Sequence, residues 1–180
     1  MKTVIVGGVA GGMSAATRLR RLDESAEIVV YEQGPYVSFA NCGLPYFIGG
    51  VIQDRSELLL QTPDSLAARF RLDVRVNTRV ESVDPVRKSV TVRNVQSGVV
   101  TTDSYDALIL SPGAKPRVLN IPGFERALTL RNVPDADRIM EALDAGAAQN
   151  VVILGAGFIG IEVAENLRHR GHAVTIVQSQ

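Results

Sequence analysis

Cys42 is the one cysteine in a chain of 180 residues. It stands in Ser38-Phe39-Ala40-Asn41-Cys42-Gly43-Leu44-Pro45. A structural disulfide needs a second cysteine, so this thiol is either an inert core residue or works alone in redox chemistry. Asn41 to Pro45 can open a short helix, because proline is tolerated in a first helical turn. The partial positive charge there favours a thiolate, the form that attacks sulfur. Such a thiolate can attack a disulfide or sulfane sulfur, and two electrons then open the mixed disulfide.

Electrons need a carrier, and two segments of the chain are built to hold one. Lys2 to Val6 is a short apolar, β-branched run that reads as a buried parallel strand. Gly7-Gly8-Val9-Ala10-Gly11-Gly12 follows as a tight turn. Met13 to Leu22 then reads as a helix, with Ser14, Ala15 and Ala16 facing the strand. Ala26 to Tyr31 is the next strand, and Glu32 ends it, about 20 residues past the turn, where a carboxylate can hold two ribose hydroxyls. Strand, glycine turn, helix, strand and acid form a dinucleotide fingerprint. Val9 departs from it, since G-x-G-x-x-G has a glycine there. The competing reading is a glycine-rich turn without a ligand.

The second segment is near the end. Asn150 to Leu154 reads as a buried strand, and Gly155-Ala156-Gly157-Phe158-Ile159-Gly160 is a complete G-x-G-x-x-G. Ile161 to Arg170 forms the helix, Gly171 caps it, and His172 to Val177 is the following strand. Two dinucleotide fingerprints imply two dinucleotides, which points to a flavoprotein that takes hydride from a nicotinamide.

Between them, Val74 to Val83 and Ser89 to Val95 alternate apolar and polar residues, as half-exposed antiparallel strands do. Asp84-Pro85 turns one into the other. Tyr105 to Leu110 reads as a further buried strand, followed by Ser111-Pro112-Gly113. Lys115-Pro116 and Ile121-Pro122-Gly123 punctuate an irregular crossing. Asp135 to Leu143 is an amphipathic helix. The fold class is therefore α/β. A Rossmann-like FAD-binding domain, a parallel sheet with an antiparallel excursion, is followed by the start of a second Rossmann-like, NAD(P)-binding domain. The boundaries fall at 1–115, 116–149 and 150–180.

These segments together resemble the pyridine nucleotide–disulfide oxidoreductases along the whole chain. Within that superfamily, Ser-Phe-x-x-Cys at 38–42 is similar to the single-cysteine branch of coenzyme A disulfide reductases and coenzyme A persulfide or polysulfide reductases. The resemblance implies that Gly7, Gly8, Val9, Ala10, Gly11 and Gly12 bind the FAD pyrophosphate and Glu32 the adenosine ribose. It implies that Val80 meets the adenine by its backbone, and that Ser111 and Gly113 line the FAD. Asn41 and Cys42 would lie beside the isoalloxazine, with Cys42 the catalytic thiol. Gly155, Gly157 and Gly160 would bind NAD(P)H, with Glu162 near the nicotinamide. Coenzyme A would meet Ser14, Arg18, Arg21, Ser38 and Asn41. Some relatives carry a lysine where this chain has Phe70, between Arg69 and Arg71.

Arginines at helical spacing, such as Arg18, Arg20 and Arg21, are commonly a solvated face. Coenzyme A phosphates need cations, and arginine suits bidentate phosphate contacts. His169 and His172 have no acid or cysteine cluster nearby, so they read as surface residues and no metal site is expected. NADH peroxidases and oxidases of the superfamily have a histidine at the place of Ala10, and its absence argues against a peroxide-reducing sulfenate. Gln178 ends the last strand where NADH users often have a carboxylate. It would not repel a 2′-phosphate, so NADH and NADPH both stay open.

Nineteen basic and nineteen acidic residues cancel. Bulk attraction to nucleic acid or membranes is not expected. A hydrophobic fraction of 46% suffices for a core. Met1-Lys2-Thr3 leads straight into a strand, no apolar run reaches membrane-spanning length, and a lone cysteine suits a reducing compartment. The reading is a cytoplasmic enzyme acting on small thiols, disulfides or sulfane sulfur. The second fingerprint lacks the strands that close its sheet. The expectation is an N-terminal portion of a chain roughly two to three times longer, dimeric through a C-terminal domain. The alternatives are an NADH oxidase or peroxidase of the same superfamily, and a nucleotide-binding fragment without turnover.

Overall fold

The computed structural model describes residues 1–146 and 150–179. The residues at 147–149 and 180, which bound the expected crossover and the last βαβ unit, lie outside the described residues. In chain order the elements are β1 (Lys2–Val6), α1 (Ala10–Leu22), β2 (Glu27–Tyr31), α2 (Leu44–Ile48), α3 (Pro63–Phe70), β3 (Asp73–Arg75) and β4 (Thr78–Asp84). Then come β5 (Ser89–Asn94), β6 (Val100–Ser104), β7 (Ala107–Leu110), α4 (Val133–Asp144), β8 (Asn150–Leu154), α5 (Phe158–His169) and β9 (Ala173–Val177). They form two compact units, 1–39 with 59–114, and 40–58 with 115–180.

The first unit is built on a parallel sheet in the order β3-β2-β1-β7. Val4 pairs with Val29 on one side and Leu108 on the other. Successive strand residues point to opposite faces, and here both faces are covered. Ile5, Ile28 and Val30 pack under α1 and α3 with Met13, Ala16 and Leu66. Val4, Val29 and Tyr31 pack against Val90 and Val92 of an antiparallel sheet, β4-β5-β6. That double burial explains the unbroken apolar runs of β1 and β2.

Several expectations need correction. The stretch 74–83 is not one strand. Asn77 adopts a left-handed φ of 53°, which asparagine tolerates. The break sends β3 to the edge of the parallel sheet and β4 into the antiparallel one. Polar β6 shows no alternation and was not expected. It is an edge strand held by pairing to β5 and by Asp103, which accepts from Lys2 Nζ at 2.6 Å and from the Tyr31 hydroxyl at 2.8 Å. The helix α3 was also unforeseen, although Thr62 and Ser65 form a capping box around a proline first turn. Helices α1 and α5 start earlier than expected, at Ala10 and Phe158. On α1, Ala16 is buried and Ala15 half-buried, but Ser14 is exposed. β7 is only half-buried, because it pairs with β1 alone.

The second unit contains α2, α4 and α5 and the parallel pair β8-β9. Leu44, Phe47, Ile48, Leu58, Val133, Ala136, Leu143, Ala164 and Leu167 are its buried apolar residues. Asn132 caps α4 reciprocally with Asp135. β8 is not the buried strand its composition implies. Ile153 faces α5, whereas Val152 and Leu154 are 61% and 44% exposed on the other face. Among the described residues that face has no covering layer.

Candidate functional site

In the first unit, Gly7 has a φ of +100°, and a Cβ there would lie 2.0 Å from the Ser111 carbonyl oxygen. A Cβ on Gly12 would lie 1.8 Å from the Gly7 carbonyl oxygen, and one on Gly11 2.5 Å from Ser111 Oγ. The turn is therefore closed tightly by the end of β7. Ser111 N–H donates to Val6 O at 2.8 Å. Gly113 follows with a positive φ of 68°.

Glu32 is half-buried and already oriented. Its carboxylate accepts from the Gly8 N–H at 2.7 Å and the Gly34 N–H at 2.8 Å. Ser38 donates its N–H to Gly8 O at 2.8 Å and takes a left-handed φ of 49°. The structure thus brings Gly7, Gly8, Gly11, Gly12, Glu32, Ser38 and Ser111 together. Val80 pairs with Val92 in the antiparallel sheet, beside a register shift between Val80 and Ser82.

The helix starts differ in a telling way. At α1 the N-cap is Val9, with no side-chain cap and no acid in the first turn. At α5 the N-cap is Gly157, again with no side-chain cap and no acid. By contrast, α3 and α4 each have a capping box, an acid in the first turn and a proline. The first N–H groups of a helix need an acceptor, and their combined dipole favours an anion. Two glycine turns that leave those donors uncapped fit the pyrophosphates of FAD and of a nicotinamide dinucleotide.

In the second turn Gly155 has a φ of +105° and donates to Val177 O at 2.8 Å. A Cβ on Gly160 would lie 2.2 Å from the Gly155 carbonyl oxygen, whereas one on Gly157 would meet nothing within 4 Å. The glycines divide the work: one turns, one leaves open space, one lets helix and strand pack closely. Gln178 Oε1 accepts from the Ala156 N–H at 2.7 Å, much as Glu32 accepts from Gly8.

The arginines of α1 separate by role. Ser14, Arg18 and Arg21 are exposed on one helical face. Arg20 is buried, and its guanidinium donates to the carbonyls of Phe70, Asp23, Glu24 and Arg71 at 2.8 to 3.3 Å. It is a structural clamp.

Asn41 to Gly43 form a 3-10 turn that runs into α2, with Pro45 in the first turn. Asn41 and Cys42 are both exposed. Gly43 donates to Ala40 O at 2.9 Å, and Ala40 to Leu58 O at 2.8 Å. Tyr46 was not anticipated. The Glu162 carboxylate raises its phenol above the ordinary value, and burial, Glu165 and Cys42 add to that shift. No pattern in the sequence pairs residues so far apart. His169 ends α5 and is exposed. Among the described residues no group of His, Cys, Asp and Glu could hold a metal, and no helix is long and apolar enough to cross a membrane.

Residues 1–180 match the family described as pyridine nucleotide-disulphide oxidoreductase. This chain belongs to that family. Coenzyme A disulfide reductase of Staphylococcus epidermidis is 43% identical over 174 residues, which is 97% of this chain and 40% of the relative. The crystal structure of reduced Bacillus anthracis CoADR-RHD is 53% identical with a TM-score of 0.95, over 98% of this chain and 32% of that one. A NAD-dependent persulfide reductase from A. fulgidus is 36% identical with a TM-score of 0.92, over 98% of this chain and 33% of that one. The chain thus spans about 40% of the length of the curated relative it matches. The α/β fold with FAD- and NAD-type glycine turns is the fold of this oxidoreductase family.

Proposed function

We propose that this oxidoreductase chain carries the cofactor-binding and thiol portions of an FAD-dependent NAD(P)H reductase of coenzyme A disulfide, persulfide or polysulfide. The observation that carries the reading is the pair of uncapped, acid-free glycine turns in a chain whose one thiol is exposed. The likeness to a coenzyme A disulfide reductase and a persulfide reductase supports the substrate class.

Gly7, Gly8, Val9, Ala10, Gly11, Gly12, Glu32, Asn41, Val80, Ser111 and Gly113 are assigned to FAD. Gly155, Gly157, Gly160 and Glu162 are assigned to NAD(P)H. Residues 1–115 are taken as the FAD portion and 150–180 as the NAD(P) portion. When bound, the two cofactors supply two electrons from NAD(P)H. The Cys42 thiolate attacks one sulfur of the disulfide and forms a Cys42–S–S–coenzyme A bond, while one coenzyme A thiolate leaves. Two electrons then return Cys42 to its thiolate and release the second coenzyme A thiol. Arg18 and Arg21 would meet its phosphates, with Ser14, Ser38 and Asn41 completing that contact. The same reading takes the working protein as a cytoplasmic homodimer, supported by the family likeness and by a lone thiol that suits a reducing compartment.

The test begins with intact mass before and after dithiothreitol. A reducible adduct of coenzyme A or sulfur mass on Cys42 is expected. NAD(P)H oxidation with coenzyme A disulfide should then require Cys42 and vanish in Cys42→Ser. An unmodified thiol together with turnover on oxygen alone would overturn the reading.

A further inference from the structure

Helix α2 has five residues, too few to hold its shape alone. Its position comes from α5, along a stripe of residues spaced by four, Glu162, Asn166 and Arg170, which share one helical face. Gly49 lies against Asn166: a Cβ there would be 2.4 Å from Asn166 Oδ1 and 2.7 Å from Asn166 Cβ. Asn166 is only 3% exposed, and its amide donates to Glu162 O at 2.8 Å. Arg170 Nη1 donates to Ile48 O, the last residue of α2, at 3.0 Å. The same guanidinium contacts Met140 Sδ and Asp144 on α4. A guanidinium on a terminal carbonyl satisfies an acceptor the helix leaves open. Leu44 N–H bonds back to Asn41 O, so the turn bearing Cys42 is continuous with α2.

The geometry points to Asn166 and Arg170 as positioning residues for Cys42: they lock α2 on α5 and give the thiol a fixed offset from the helix that begins at the second glycine turn. The inference rests on Cys42 being the working thiol. Neither residue belongs to a nucleotide fingerprint, and neither touches the sulfur. They act through the backbone of α2.

The test uses the full-length, FAD-loaded protein. Arg170→Met, Arg170→Lys and Gly49→Ala are compared with wild type. Two readouts are taken: the rate of Cys42 alkylation by iodoacetamide, followed by intact mass, and the steady-state constants with coenzyme A disulfide. Arg170→Met and Gly49→Ala should change the alkylation rate several-fold. Each should lower kcat by about tenfold, since small misplacements of a reacting group are costly, and leave the KM for NAD(P)H near wild type. Arg170→Lys should recover part of the loss, because its ammonium can still donate to Ile48 O. Wild-type alkylation and kcat in both disruptive variants would overturn the inference. Should Arg170→Met fail to fold, Gly49→Ala against Arg170→Lys decides the same question. If wild type does not reduce coenzyme A disulfide but alkylation still responds to the variants, the positioning role stands and the proposed activity falls.

Discussion

Gly157→Ala and Gly160→Ala add the same methyl group to the same turn and should fail in opposite ways. At Gly160 the new Cβ would stand 2.2 Å from the Gly155 carbonyl oxygen, about 1.2 Å short of the 3.4 Å at which ordinary contact begins. The obstacle is backbone, and Gly155 is tied to Val177 O at 2.8 Å in a left-handed conformation, so it cannot step aside. Overpacking costs about 1–3 kcal/mol, and a clash this deep against fixed backbone falls in the upper part of that range, about 2–3 kcal/mol. Alanine regains roughly 1 kcal/mol of helix propensity over glycine, which does not cover the clash. A net loss of about 1–2 kcal/mol should lower the melting midpoint by roughly 2–8 °C. At Gly157 the φ of −75° suits any residue and the Cβ meets nothing, so melting should stay within about 1 °C of wild type or rise slightly. That open space is where a pyrophosphate must approach, and NADH affinity should fall about tenfold. Thermal melts of the FAD-loaded protein without dinucleotide, paired with NADH titration by calorimetry, read both. A Gly160→Ala protein that melts like wild type, or a Gly157→Ala protein that binds NADH normally, would refute the division of labour between the glycines.

Arg18→Ala and Arg21→Ala should each raise the KM for coenzyme A disulfide by about tenfold through a lost phosphate contact, leaving NAD(P)H kinetics unchanged; equal KM values would remove them from the substrate site. Gln178→Glu should shift the preference toward NADH, since a carboxylate repels a 2′-phosphate; unchanged kcat/KM ratios would place that choice elsewhere. Asp103→Asn should cost about 2 kcal/mol of stability, as expected for bonds to a charged group. Burial alone would raise the Asp103 carboxyl, but hydrogen bonds from Lys2 and Tyr31 outweigh it and leave it below its ordinary value of 3.8. Its contribution is therefore present above that value and lost as pH falls through the folded value. Lys2 is raised by its bond to Asp103, and Tyr31 chiefly by burial. Both contributions hold below the ordinary values of 10.5 and 10.0 and fade as pH rises beyond them. Denaturant midpoints across pH check both limbs, and Asp103→Asn should flatten the acid one.

The glycine turns were legible because their chemistry is local. A strand, a turn with no side chains and an acid at a fixed distance are all written within about 30 residues. The exposure of Cys42 could not be read in the same way, because it depends on what covers the turn. Tyr46 and Asn166 were illegible for a related reason. Their importance comes from the packing of α2 on α5, and nothing at either position marks it. The strand β6 escaped notice because an edge strand can be polar, and its place is set by pairing and by Asp103. The same logic separates the three arginines of α1. Spacing groups Arg18 and Arg21 on one face, but only the fold shows that Arg20 turns inward to four carbonyls.

Those four carbonyls belong to the closing residues of two different helices. Phe70 and Arg71 end α3, and Asp23 and Glu24 follow the last residue of α1. Helix ends ordinarily fray one by one, each at its own small cost. Here one planar group serves as a shared stopper, so neither end can open without disturbing the other. Local opening in this part of the molecule should therefore be a joint event of the two helix ends.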